Sequence, residues 1–166
     1  MLRKIIPDVV RDQELLTLPG TTMVREAARQ MAKRRVRSVL VTRQGRVAGI
    51  FTGSDLNDRV VAPGLDPNKT PLGKVMTPEP YTIAPGSNAI EALRLMRERR
   101  CRHLPVCDGE RLVGIVSRRD FLGFEEDEVE HQDELSERMR SRTRSTTAPA
   151  RPSRRAAGRR PPLIPE

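Results

Sequence analysis

Two short segments of this sequence pair a hydroxyl residue with an aspartate three positions later. They are residues 49–55, GIFTGSD, and residues 114–120, GIVSRRD, called here the first and second motifs. In each, an apolar run typical of a strand ends at the hydroxyl residue, so the aspartate falls in the first turn of a helix. Helix-start N–H groups and a hydroxyl can hold phosphate oxygens. A carboxylate can accept hydrogen bonds from the two hydroxyls of a ribose.

The same spacing has a purely structural explanation. A Ser or Thr followed three residues later by an acidic residue approximates a capping box, which satisfies the start of a helix without any ligand. The glycines that open the motifs, Gly49 and Gly114, favour a ligand because a residue without a side chain leaves room beside the backbone. One copy of the motif would favour the capping interpretation, whereas two copies at one offset favour a binding site.

The duplication of the motif belongs to a longer internal repeat with an offset of 65 residues. The match needs no gap between Val24 and Asp55, and one inserted residue is needed upstream, to align Pro19-Gly20 with its counterpart Pro85-Gly86. Residues 46–52, RVAGIFT, fall on residues 111–117, RLVGIVS. Four apolar residues at helical spacing also fall on four apolar residues: Val24, Ala27, Ala28 and Met31 on Ala89, Ala92, Leu93 and Met96.

Each repeat is predicted to contain a strand, a helix, two strands and a final helix. In the first repeat these are a strand near residues 15–18, a helix over 23–34 and strands over 38–42 and 46–51, with a glycine turn at Gly45. A single repeat is too small to bury much core. We therefore expect an α/β fold in which two tandem repeats pack face to face in a pseudo-twofold arrangement, joined by a turn-rich linker.

The positive charge is concentrated at the end of the chain. The formal net charge is +9, of which residues 138–166 carry +8, with nine arginines and one glutamate. We expect an acidic helix over 125–137 and a disordered, Arg-rich tail over 138–166. Such a tail can neutralise nucleic-acid phosphates regardless of base sequence. A nucleic-acid-associated protein acting through the tail alone therefore remains an alternative function.

Several other classes of function find little support. Cys101, His103 and Cys107 would lie along one strand, where convergence on a metal ion is not expected. The motif aspartates have no Ser/His or Cys/His partners, so no reaction is expected. No apolar run reaches the ~20 residues that cross a bilayer. Residues 1–10, MLRKIIPDVV, are too short and interrupted for a signal peptide, so we expect a cytoplasmic protein without membrane association.

The paired repeats resemble cystathionine-beta-synthase (CBS) domains in the two-copy arrangement called a Bateman module. The resemblance covers residues 15–122 and rests on the two motifs, on RHLPV at 102–106 and on KVMTP at 74–78. It implies a non-catalytic regulatory module, commonly a homodimer, that binds AMP, ADP, ATP or S-adenosylmethionine in clefts between the repeats. Such a module would pass the signal to a regulated partner protein. A purely structural dimerisation module remains a second alternative.

The resemblance also implies boundaries and site residues. The first repeat with its N-terminal segment would span 1–62, the linker 63–73 and the second repeat 74–124. Leu40 stands where the second repeat has the proline typical of the family, so we expect the first cleft to be less complete. The expected nucleotide-binding residues are Thr17, Arg37, Ser38, Thr52, Ser54, Asp55, Thr82, Arg102, His103, Pro105, Ser117, Arg118, Arg119 and Asp120.

Overall fold

The computed structural model describes the backbone of residues 2–145 and the side chains through Ser141. Residues 1–131 form one compact unit that contains both repeats, and a second unit begins at Gln132. Within the described part of the chain, no helix combines the length and the apolar character that a membrane span requires.

The first repeat follows the expected order of elements. Strand β1 is Thr17–Pro19, helix α1 is Val24–Arg34, and strands β2 and β3 are Ser38–Arg43 and Arg46–Thr52. Helix α2, Gly53–Leu56, continues without a break as a wider helical turn, Asn57–Val61. The β2–β3 turn places Gln44 and Gly45 at φ 51° and 76°, the left-handed conformations that a tight two-residue hairpin requires.

The second repeat begins with two short elements that precede its main helix. These are helix α3, Leu72–Val75, and strand β4, Thr77–Pro78. Helix α4, Ala89–Glu98, is followed by strands β5, His103–Asp108, and β6, Arg111–Ser117. A single 3-10 turn, Arg118–Asp120, then ends in an extended residue, Phe121, before helix α5, Gly123–Ser145, begins.

Strand pairing reproduces the 65-residue offset. Leu18 pairs in parallel with Val41, and Ile83 pairs in parallel with Val106. The antiparallel hairpins also match, since each carries an irregularity after the same position, Val41 or Val106. The first repeat contributes to a sheet of order β1-β2-β3-β4 and the second to the pair β5-β6. The expected α/β fold of two tandem repeats is confirmed.

Each hydrophobic core is completed by the segment that precedes the other repeat. Leu72 and Val75 are buried in the core of the first repeat, and Ile5 and Val10 are buried in the core of the second. Strand β4 also pairs with β3, through Gly49 opposite Pro78. This reciprocal exchange ties the repeats together, because neither core is complete without chain contributed from outside its own repeat.

The acidic segment is helical and extends further than expected. Helix α5 continues through Ser145, so the expected boundary between residues 137 and 138 falls inside a helix. Glu125, at the start of the acidic segment, is buried and pairs with Arg3 at 3.0 Å. The rest of the Arg-rich tail, residues 146–166, lies outside the described residues, and its predicted disorder stays a prediction.

Candidate functional site

The first motif forms the turn from strand β3 into helix α2. The Thr52 backbone N–H and hydroxyl donate to Oδ2 of Asp55 at 2.8 and 2.7 Å. The Asp55 N–H in turn donates to the Thr52 hydroxyl oxygen at 3.4 Å, which completes a capping box. The carboxylate is thereby fixed at the start of the helix, and Asp55 is only 9% exposed.

The second motif repeats this geometry at the end of strand β6. The Ser117 N–H and hydroxyl donate to Oδ2 of Asp120 at 2.6 and 2.9 Å. The capping interpretation therefore describes both motifs in this structure. It does not compete with a binding role, because capping uses only one oxygen of each carboxylate and holds it in a fixed place.

Both motifs open onto one large cleft. The cleft has a volume of about 1160 Å³, above the ~300–1000 Å³ typical of small-molecule pockets, so it can hold a nucleotide with its phosphates. Residues from both repeats line it, called here the cleft residues. They include eleven of the fourteen expected site residues: Arg37, Ser38, Thr52, Ser54, Asp55, Arg102, His103, Ser117, Arg118, Arg119 and Asp120.

Three expected site residues are not cleft residues. Thr17 and Thr82 are exposed but lie outside the cleft. Pro105 is fully buried in strand β5, where it pairs with Ile115. A direct contact between any of these three and a ligand in the cleft is therefore not supported by the fold.

The glycines of the motifs also have a different role from the one expected. A side chain at Gly49 would collide with Met76 and with the backbone of Thr77, because strand β4 lies against this position. A side chain at Gly114 would meet the Gln13 side-chain oxygen at 3.3 Å. Both glycines therefore admit the chain's own segments, not a ligand, and this part of the sequence interpretation was wrong.

The cleft carries an excess of positive charge. Seven arginines and four carboxylates line it. Three of the arginines, Arg35, Arg99 and Arg100, were missed by the sequence analysis, although Arg35 and Arg100 occupy equivalent positions in the two repeats. Both adopt left-handed backbone, with φ of 56° and 51°, a conformation usually reserved for glycine. The signal that could have revealed them is a repeated Arg-Arg-x-Arg segment, at residues 34–37 and 99–102.

An aromatic cleft residue, Tyr81, was missed as well. It is 50% exposed, whereas its counterpart in the first repeat, Leu16, is buried. The Leu16 carbonyl accepts a hydrogen bond from the Leu40 N–H at 2.9 Å. The equivalent of Leu40 is Pro105, which has no N–H to offer the Tyr81 carbonyl. Released from strand pairing, Tyr81 lies in the cleft under the guanidinium of Arg99, 4.6 Å from the ring centre.

His103 lies at the start of strand β5 and experiences charges from both motifs. Burial lowers the pKa of His103 below the usual 6.5. The negative charges of Asp120 and Asp55 oppose this shift, and the positive charges of Arg102 and Arg119 reinforce it. The imidazole is therefore neutral at neutral pH and can either donate or accept a hydrogen bond in the cleft. Burial also raises the pKa of Cys101, another cleft residue, so that its thiol is protonated.

Comparison with known proteins agrees with these features. The family model of the CBS domain matches residues 6–62 and 72–127. CBS domain-containing protein CBSCBSPB1 of Arabidopsis thaliana is 36% identical over 108 residues, which are 64% of this chain and 20% of that protein. The chain thus spans about a fifth of the length of such plant relatives. CBS domain-containing protein YhcV of Bacillus subtilis is 33% identical over 70% of this chain and 81% of its own length.

A solved structure shows the same architecture with a ligand. The CBS domain protein PAE2072 from Pyrobaculum aerophilum, complexed with AMP, superposes with a TM-score of 0.64 and 28% sequence identity. The match covers 73% of this chain and 95% of that protein. With the duplicated fold, the paired motifs and the family match in agreement, the chain belongs to the CBS-domain family and carries a tandem pair of CBS domains.

Proposed function

We propose that this chain is a non-catalytic regulatory module that binds an adenine nucleotide in its cleft and signals to a partner protein. The observation that carries the proposal is the placement of both capped motifs on one cationic cleft. The AMP complex of the Pyrobaculum aerophilum protein supports the ligand class, since that protein shares the fold over nearly its whole length.

The charge of the cleft bears on which nucleotide it would hold. An aspartate such as Asp120 suits ribose hydroxyls, and the N–H groups and hydroxyl at Ser117 suit phosphate oxygens. The excess of arginines over carboxylates favours ligands with two or three phosphates, because each phosphate adds charge-assisted hydrogen bonds. ADP and ATP are therefore favoured over AMP, and S-adenosylmethionine is least favoured because its sulfonium carries positive charge.

Signalling would follow because residues of both repeats line the cleft. A ligand that touches both repeats can bind two arrangements of the repeats with different affinity, and such a difference is required for any switch. The reciprocally exchanged segments that include Val10 and Val75 would transmit a change at the cleft into both cores.

The module is also proposed to form a homodimer. Apolar side chains remain exposed just after each motif, with Val61 63% and Phe124 65% exposed. Burial of such residues against a second copy would remove apolar surface from water. Light scattering of the full chain measures the mass directly, and a monomer at micromolar concentration would argue against this part of the proposal.

A thermal unfolding series tests nucleotide binding. The full chain is melted alone and with AMP, ADP, ATP or S-adenosylmethionine. A ligand present at one hundred times its dissociation constant should stabilise the fold by ~2.7 kcal/mol. We expect ATP and ADP to raise the melting temperature most. No shift with any of the four ligands at millimolar concentration would contradict the proposed function.

A further inference from the structure

The two motif aspartates differ in how much of their hydrogen-bonding capacity is already used. An ionised carboxylate offers about four acceptor sites, two on each oxygen. At Asp55 four donor groups surround the carboxylate. Two from Thr52 reach Oδ2. Oδ1 accepts a hydrogen bond from the Thr77 hydroxyl at 3.4 Å, and the Arg59 Nε forms an ion pair with the same oxygen at 3.4 Å.

By the same count, the Asp120 carboxylate has unused hydrogen-bond acceptor sites. Its Oδ2 accepts the two hydrogen bonds from Ser117. Among the residues that the structure describes, no donor reaches its Oδ1. A ribose presents two hydroxyl donors, so Asp120 can accept both without losing its cap, whereas at Asp55 the Thr77 hydrogen bond and the Arg59 ion pair compete with them for Oδ1.

The difference arises from the backbone that follows each motif. After Asp55 the helix continues unbroken into Asn57–Val61, which places Arg59 one turn beyond the aspartate. The Arg59 guanidinium is further held by the carbonyls of Val75 and Met76, at 3.2 and 2.7 Å. Arg59 is not a cleft residue, so its ion pair uses Oδ1 of Asp55 from outside the cleft lining.

No such cation can occupy the second motif. The chain turns extended at Phe121, with ψ of 154°, and a new helix begins at Gly123. The residue equivalent to Arg59 is Phe124, which is exposed and has no donor. The residue equivalent to Thr77 is Asp12, which also offers no hydroxyl.

We propose that Arg59 and Thr77 take up the Asp55 oxygen that a ribose would need, and thereby restrict the chain to one nucleotide, bound at Asp120. This inference rests on the proposed function and adds to it a stoichiometry and two specificity-determining residues. Asp55 then serves as a structural cap, and its position becomes a ligand site only when the internal donors are removed.

Calorimetric titration of the full chain with ATP tests the inference. We expect the wild-type chain to bind one ATP. The double variant R59A/T77V should bind two, the second at the freed carboxylate of Asp55. The single variant T77V, which leaves the anchoring of Arg59 intact, should keep one site.

A matched control removes another exposed arginine that ties a helix to a loop. Arg25 donates to the Asn68 side chain at 3.1 Å, far in sequence from either motif. R25A should therefore behave as wild type, with one site. Circular dichroism melts of all variants establish that each is folded at the titration temperature. If R59A/T77V does not fold, T77V combined with the milder R59Q replaces it.

The outcomes separate this inference from the proposed function. Two equivalent ATP sites in the wild type, or a single site in a folded R59A/T77V variant, would overturn the role of Arg59 and Thr77 while nucleotide binding stands. A folded wild type and folded variants that all fail to bind ATP, ADP and AMP would overturn the proposed function and this inference together.

Discussion

The two repeats share the same strand register, yet the motif has different chemical surroundings in each of them. In both, an aspartate accepts hydrogen bonds from a hydroxyl residue three positions earlier, which caps a helix in the first repeat and a single 3-10 turn in the second. In the first repeat, a continuous helix places Arg59 beside the Asp55 carboxylate. In the second repeat, the helical turn ends at Phe121, and Oδ1 of Asp120 has no donor among the described residues. The comparison teaches that a duplicated motif does not by itself define two equal sites, because residues one turn later decide whether the carboxylate is free.

The sharpest test of this comparison exchanges each aspartate for its amide. D120N keeps an oxygen that can cap the helix but loses the charged acceptor for ribose hydroxyls. We expect the loss of ~1.5–3 kcal/mol of binding free energy, which is a roughly 10- to 150-fold weaker affinity for ATP by calorimetry. D55N should change the affinity by less than about twofold, because Asp55 contributes only a cap.

The melting temperatures provide the control for both amide variants. Each substitution removes one capping carboxylate, so both should lower the stability of the unliganded chain to a similar, small extent. Equal losses of ATP affinity in D120N and D55N would show that the two motifs are equivalent after all.

A smaller effect, on the free energy of unfolding, is expected from exchanging Leu40 and its equivalent Pro105, which are buried in strands β2 and β5. L40P removes the N–H that donates to the Leu16 carbonyl and leaves that buried group without its partner. We expect a loss of ~1–3 kcal/mol of unfolding free energy in urea titrations. The second repeat shows that a strand of this register accommodates the ring, since Pro105 is fully buried there.

The reverse exchange, P105L, supplies the comparison for that measurement. It adds an N–H beside Tyr81 and removes no hydrogen bond, so the cost should be limited to repacking a somewhat larger side chain. Amide hydrogen exchange should reveal a newly protected N–H at position 105. If L40P proves no more destabilising than P105L, the missing hydrogen bond does not explain the different placement of Leu16 and Tyr81.

The smallest expected effect is on the pH dependence of the free energy of unfolding. The folded chain lowers the pKa of His103, so the unfolded chain binds a proton more readily as the pH falls below 6.5. His103 therefore contributes a loss of stability on acidification, and H103N should lack it. We expect the wild-type chain to lose more unfolding free energy than H103N between about pH 7.5 and 5.5. An identical pH dependence of the two would contradict this assignment.

The repeats and most of the cleft could be predicted because they depend on local signals. Apolar residues at helical spacing, such as Ala27 and Met31, and the alternation of turns and strands recur at a fixed offset. The exchanged segments could not be predicted, because Val10 and Val75 reach cores far from their place in the chain. The absence of a donor at Oδ1 of Asp120, among the described residues, could not be predicted either. It depends on where the helical turn ends, and capping signals locate helix ends only to within a few residues.

The Leu40-to-Pro105 difference has a spectroscopic consequence. The chain has no tryptophan, and Tyr81 is its single tyrosine, so all tyrosine fluorescence originates in the cleft under the Arg99 guanidinium. An adenine or phosphate group that displaces Arg99 from the ring would change the emission intensity without any attached dye. The same proline that frees Tyr81 from strand pairing thus gives the protein an intrinsic optical reporter, and occupancy of its cleft can be followed in real time.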